Sequence, residues 1–145
     1  PFEILKQIQK RIKLFKKENS KPCKVAVLGL TYKPDVDDLR ESPALFIAEQ
    51  LKMYKDINLM VVEPNVEANI LNKYFDLTEI YDIKKALKAA DIIVSLVAHS
   101  PFKSIDITFI EGKELLDCCK LFKKPQVSNM FCDWQAKERN ETGLS

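Results

Sequence analysis

Glycine and histidine are the scarce residues of this 145-residue chain, with three and one respectively. After Gly29 the next glycine is Gly112. A G-x-G-x-x-G turn closing its backbone onto a pyrophosphate is therefore absent, and so is a P-loop. The lone His99 and the four cysteines, Cys23, Cys118, Cys119 and Cys132, contain no C-x-x-C pair. A zinc site would lack ligands at the usual spacings. Reduced thiols in a cytosolic protein are the simpler reading. No Ser–His–Asp or Cys–His arrangement can be argued, because the nearest carboxylate in the segment of His99 is Asp106. No apolar run reaches the roughly 18 residues of a membrane span. Lysines interrupt the first apolar stretch, so it does not read as a signal peptide. A net charge of +2 is too small for a dedicated nucleic-acid binder. The chain starts at Pro1, and we read it as a piece of something longer.

What is present is a regular alternation of two periodicities. Leu5, Ile8, Ile12 and Phe15 recur at helical spacing and predict a helix over 2–17, ended by "ENSKP". Its lysines Lys6, Lys10, Lys13 and Lys17 read as a solvated face over a packed stripe. "CKVAVLGL" (23–30), "INLMVVEP" (57–64) and "DIIVSLV" (91–97) are nearly continuous apolar runs, as strands covered on both faces require. "KELLDCC" (113–119) is a weaker fourth. Between them, Ser42 caps a helix with Pro43 at its first position and Ala44, Ile47, Ala48 and Leu51 as its stripe. A short helical piece follows around 67–73. Asp82 caps another helix, with Ile83, Ala86, Leu87 and Ala90 on one face.

Strand–helix alternation of this kind predicts an α/β, Rossmann-like three-layer domain with a mainly parallel sheet, preceded by the N-terminal helix. The expected organisation is a connecting helix over 1–20, a binding domain over 21–122 and a loosely attached tail over 123–145. In such sheets ligands sit beyond the carboxyl ends of the strands. Here those ends deliver "GLTYKPDVDDLRES", "EPNV", "AHSPF" and the residues around Cys118 to Lys120.

Several residues on this rim have two readings. Lys33, with the helix start at Ser42, can attract a phosphate by charge and dipole, or can pair with Asp35 or Asp37. Tyr32 can stack on a base or sugar, or cover the sheet end. Asp37 and Asp38 could serve metal or acid–base chemistry, but nearby Arg40 favours a loop network. His99 could be a general base; a hydrogen-bonding turn residue is the favoured role. A flavodoxin-like phosphoacceptor would need an aspartate after the central strand, where Ala98 and His99 stand instead.

"VAVLGLTYKPDVDDLRESPA" resembles the signature of the C-terminal UDP-binding domain of the UDP-glucose/UDP-mannosamine dehydrogenase family. "VVEPNV" and "VSLVAHSPFK" are similar to the next two family motifs, in order, with forms nearest the UDP-N-acetylmannosamine branch. The resemblance covers about residues 20–122. It implies a cytosolic, homo-oligomeric parent enzyme that oxidises C6 of a UDP-sugar to a carboxylate in two NAD-dependent steps. NAD would be bound by an N-terminal domain, and the catalytic cysteine would also lie upstream, leaving this chain alone inactive. Tyr32 and Lys33 match the aromatic–lysine pair lining the substrate cleft. In "LLDCCKLF", Asp117 fits the family pattern but Cys119 stands where a UDP-contacting arginine or lysine is expected. Either Lys120 takes that role through a local shift or the contact is lost. The other reading from another class is a non-catalytic interaction or regulatory module of the same fold.

Overall fold

The three long apolar runs form strands, each shorter than its run. The computed structural model describes residues 1–122 and 130–131. Strand β1 spans Cys23–Leu28, β2 Ile57–Val62, β3 Ile92–Ser95 and β4 Glu114–Asp117. A two-residue strand, β5, follows at Met130–Phe131. The sheet order is β2-β1-β3-β4-β5 and every pairing is parallel. From β1 the chain moves outward to β2, then returns to lay β3 on the other side of β1. The carboxyl ends of β1 and β3 therefore flank the topological switch point, where open α/β sheets bind ligands.

Side-chain alternation sorts the strands into two apolar faces. Val25, Val27, Leu59, Val61, Ile92, Val94 and Leu116 share one core. Ala26, Leu28, Met60, Val62, Ile93 and Leu115 share the other. Helix α1 (Phe2–Asn19) covers the first face with Ile4, Leu5, Ile8 and Ile12. Beside it lies α2 (Pro43–Lys52), with Ala44, Ile47, Ala48 and Leu51 buried. The second face is covered by α4 (Ile83–Ala89), reached after the single-turn α3 (Ala68–Leu71), together with Ala90, Phe102 and Ile110. The result is the three-layer α/β arrangement with a leading helix that the periodicities predict.

Local signals set the ends. Helix α1 runs two residues past the expected stop and closes on Ser20 in the left-handed region (φ 52°). Asp82 caps α4 by accepting the Lys85 N–H. The expected helical piece at 67–73 shrinks to α3. A backbone bridge from Val61 to Ile80 covers the outer edge of β2, an element the sequence did not announce. Within the expected tail, Met130 and Phe131 pair with Leu116 and Asp117. The rest of 123–145, including Cys132, lies outside the described residues. Among the described residues no helix is long and apolar enough to cross a membrane.

Candidate functional site

The rim is organised by a buried hydrogen-bond network that reaches over the end of β1. His99 and Thr31 are fully buried and Glu63 is 5% exposed. Glu63 leaves β2 and His99 leaves β3, yet His99 Nε2 lies 2.8 Å from Glu63 Oε1. The same oxygen accepts the Leu30 N–H at 2.8 Å, while Glu63 Oε2 accepts the Asn65 N–H at 2.8 Å. Both carboxylate oxygens are therefore used as acceptors.

The other side of the imidazole fixes its tautomer. Asp35 donates its backbone N–H to His99 Nδ1 at 3.0 Å, and the Asn65 side-chain amide lies 3.1 Å from the same nitrogen. A backbone N–H cannot change roles, so Nδ1 accepts and the ring proton sits on Nε2, directed at Glu63. Thr31 Oγ1 lies 3.3 Å from Nε2 and donates to the Lys33 carbonyl at 2.9 Å. With both nitrogens engaged and no exposed surface, His99 is a hydrogen-bonding turn residue. Its carboxylate partner comes from another strand, not from its own segment.

Residues 29–41 are held by four further sets of hydrogen bonds. Tyr32 donates its N–H to the Asp38 carbonyl at 2.9 Å, closing the loop on itself. Asp35 adopts φ 62°, a conformation that aspartate tolerates better than most residues. Its carboxylate receives the Ser100 N–H and hydroxyl, both at 2.7 Å. Those bonds, the backbone one foremost, hold the Asp35 carboxyl below its usual range. Asp38 receives Arg40 Nε and Nη2 at 3.0 and 3.1 Å, and this pairing lowers its carboxyl likewise. Ser42 ends the loop: its hydroxyl donates to the Leu30 carbonyl at 2.7 Å and accepts the Leu45 N–H at 3.2 Å. Of the acidic pair, Asp38 thus belongs to the loop network, together with Asp35. Among the described residues no group of three or more His, Cys, Asp or Glu could hold a metal ion.

Against this tethered scaffold, Tyr32 is 56% exposed and Lys33 is exposed. The ion pairs of the described residues do not include Lys33, so the pairing with Asp35 or Asp37 does not form. Asp35 is committed to Ser100 instead. Lys120 is exposed, with φ 55° just beyond β4. Because β3 separates β1 from β4, the strand ends carrying Lys33 and Lys120 stand about 10 Å apart, two strand spacings. The two lysines border one rim.

The turn bearing Lys120 is built around Asp117, which is fully buried. Its carboxylate accepts Ser95 Oγ at 2.7 Å, the Leu121 N–H at 2.9 Å and the Phe122 N–H at 2.7 Å. Cys118 and Cys119 lie past the strand, so strand alternation does not apply to them. Cys119 is partly buried, and burial, reinforced by Asp117, pushes its thiol up to about 12. It is a protonated thiol where the resemblance expects a cation.

Gly29 is committed to strand packing. It has φ +92°, and a Cβ there would fall 2.6 Å from Val97 Cβ. Its missing side chain lets the ends of β1 and β3 approach, and a long loop rather than a helix N-terminus follows. The residues present do not fit a pyrophosphate clamp. An apolar groove of about 430 Å³, lined by Val62, Pro64, Val66, Leu71, Tyr81 and Phe102, opens beside Glu63. A second cavity of about 300 Å³ lies at the opposite end of the strands, near Asp91 and Glu114. Neither is lined by Tyr32, Lys33 or Lys120.

Glu63, Asn65, Thr31 and Ser95 were not singled out from the sequence. The signal was a glutamate directly after a buried apolar run, where a charge must find partners.

Comparison with known proteins identifies relatives of this chain. Residues 26–124 match the family model for the UDP binding domain of the UDP-glucose/GDP-mannose dehydrogenase family. The chain is 36% identical over 120 residues to UDP-N-acetyl-D-mannosamine dehydrogenase of Escherichia coli K12, covering 81% of this chain and 28% of that protein. It is 31% identical over 117 residues to NDP-N-acetyl-D-galactosaminuronic acid dehydrogenase of Ralstonia solanacearum, covering 81% of this chain and 26% of that protein. The chain thus spans little more than a quarter of these relatives' length. Among solved structures, UDP-N-acetyl-mannosamine dehydrogenase of Staphylococcus aureus superposes with a TM-score of 0.70 at 28% identity, over 95% of this chain and 31% of that one. The fold is shared too by UDP-glucose dehydrogenase of Pyrobaculum islandicum, with a TM-score of 0.64 at 21% identity, over 83% of this chain and 28% of that one. A family model matching residues 26–124, more than half of the chain, places it in the UDP-glucose/GDP-mannose dehydrogenase family.

Proposed function

We propose that this chain is the UDP-sugar-binding domain of an NAD-dependent nucleotide-sugar 6-dehydrogenase, acting on UDP-N-acetylmannosamine. The observation that carries this reading is the pairing of an immobilised loop with an exposed Tyr32 and Lys33 at the switch point of the sheet. A diphosphate needs a fixed cation and a sugar or base needs an apolar wall; Lys33 and Tyr32 supply one each. Lys120 adds positive charge from the neighbouring turn, in place of a cation at Cys119. The relatives' names favour N-acetylmannosamine as the sugar.

These residues stand on an open rim, so a complete cleft requires a second wall. In our reading that wall is the NAD-binding and central parts of the same parent chain, in a cytoplasmic homo-oligomer. Helix α1 is the connector to them and 21–122 the binding unit. NAD, the hydride acceptor of C6 oxidation, is held by those parts, since Gly29 is committed to strand packing. The chain's own contribution is to bind and orient the substrate and to close the cleft. In this reading the catalytic cysteine lies upstream in the parent chain, and this chain is inactive in isolation.

The test is Lys33→Ala in the full-length enzyme. The KM for the UDP-sugar should rise by about tenfold or more, the loss expected for one charge-assisted contact, with the KM for NAD unchanged. Unchanged UDP-sugar kinetics would remove Lys33 from the site.

A further inference from the structure

The exposed pair Tyr32 and Lys33 sits on a loop anchored by Leu39 in the core, by Ser42 at its end and, next to the pair itself, by the network beneath it. Three independent links run from that network into the loop. His99 Nδ1 takes the Asp35 N–H, Thr31 Oγ1 holds the Lys33 carbonyl, and the Asn65 amide reaches the Val36 carbonyl at 3.4 Å. His99 is itself held by Glu63, whose other oxygen is engaged by Asn65. We propose that Glu63 and His99 are positioning residues: they fix the conformation in which the loop presents Tyr32 and Lys33 to a nucleoside diphosphate. This assignment rests on the reading of Lys33 as a ligand contact, and neither residue touches ligand.

The chemistry of the pair suits this role better than a catalytic one. Glu63 must accept with both oxygens, so a glutamine would turn an N–H toward either the Asn65 N–H or the His99 and Leu30 donors. His99 must accept on one nitrogen and donate from the other. A glutamine at 99 can reproduce that acceptor and donor at nearly the same separation, whereas a phenylalanine fills the space and offers neither. The ring packs 5.5 Å from Phe102, so an apolar replacement has a compatible neighbour.

Two measurements test the assignment. In this chain, amide hydrogen exchange is read residue by residue for wild type, His99→Phe and His99→Gln. His99→Phe should speed exchange at Tyr32 and Asp35 by about tenfold or more, leaving Val27 and Val94 within about threefold, because a local opening is freed without global unfolding. His99→Gln should recover most of the protection. In the full-length enzyme His99→Phe should raise the UDP-sugar KM by about tenfold with kcat within about threefold, as misplaced ground-state binding requires. Should His99→Phe not fold, Glu63→Gln gives the same comparison. Exchange that accelerates everywhere alike, an unprotected His99→Gln, or loop protection unaltered in His99→Phe would each overturn the proposal. If His99→Phe loosens the loop but neither it nor Lys33→Ala alters the UDP-sugar KM, the presenting role falls together with the ligand reading. If Lys33→Ala raises that KM and His99→Phe does not, only the positioning role falls.

Discussion

Gly29 and Val97 meet at the ends of neighbouring strands, so closely that a Cβ on Gly29 would lie 2.6 Å from Val97 Cβ and 2.9 Å from its carbonyl oxygen. The contact joins β1 to β3 at the switch point and sets the level from which the loop departs. Gly29→Ala meets two penalties, a φ of +92° that L-residues rarely adopt and an overlap with backbone. Loss of about 3 kcal/mol is expected from strain plus overpacking. Chemical denaturation of this chain measures it; a midpoint shift equivalent to less than about 1 kcal/mol, within the range of ordinary substitutions, would refute the packing role.

The loop should open in acid. Asp35 and Asp38 both have folded-state carboxyls lowered below the ordinary 3.8 by the Ser100 and Arg40 bonds respectively. A lowered folded value means that their contribution is complete above the unfolded pKa and is lost as pH falls through the folded one. Loop attachment should therefore weaken only below about pH 4 and be unaffected between neutral pH and about pH 5. Carboxyl carbon titration by NMR should give midpoints for both residues below 3.8. Asp35→Asn should remove the part of the acid transition seen at Ser100. Midpoints at or above 3.8 would contradict the observed geometry.

How much of this was legible in advance depends on the range over which each signal acts. Ser42 with Pro43, and Asp82 before Ile83, mark helix starts through contacts three residues long, and both caps form as read. The strands were legible because burial on both faces removes polar residues from them. Glu63 and His99 were not read as a pair, since they are 36 residues apart and meet only because β1 lies between β2 and β3. Strand order is a global property that no local window carries. The same holds for β5, whose two residues are too few for any periodicity. Tyr32 and Lys33 were identified through motif resemblance; physics alone left phosphate attraction and a local ion pair equally open.

Thiol reactivity offers a direct check on one buried and one partly buried position. Burial, with Asp91 and Glu114 adding to it, pushes the Cys23 thiol up to about 12, and burial with Asp117 does the same at Cys119. The thiolate is the reactive form, so at pH 8 each should be almost wholly unreactive. Iodoacetamide labelling followed by peptide mapping should leave Cys23 and Cys119 unmodified in the native chain and modified after denaturation. Rapid native labelling of Cys119 would mean that the Asp117 turn is open.

Asp117 governs the last segment of the rim. Its two oxygens collect Ser95 Oγ, the Leu121 N–H and the Phe122 N–H, with no exposed surface. This is the set of donors that forces the chain to turn after β4 and lifts Lys120 onto the surface at φ 55°. Asp117→Asn keeps the shape but replaces one acceptor with a donor, facing either the Phe122 N–H or the pair Ser95 and Leu121. One or two buried donors then lose their partner, at about 1–3 kcal/mol each. Destabilisation of about 2–4 kcal/mol is expected by denaturation, with exchange at Leu121 and Phe122 rising before that of β1. Asp117→Asn with Ser95→Ala should cost less than the sum of the two single changes, because both remove the same contact. Strict additivity would show that Ser95 and Asp117 act separately, and the turn would need another anchor.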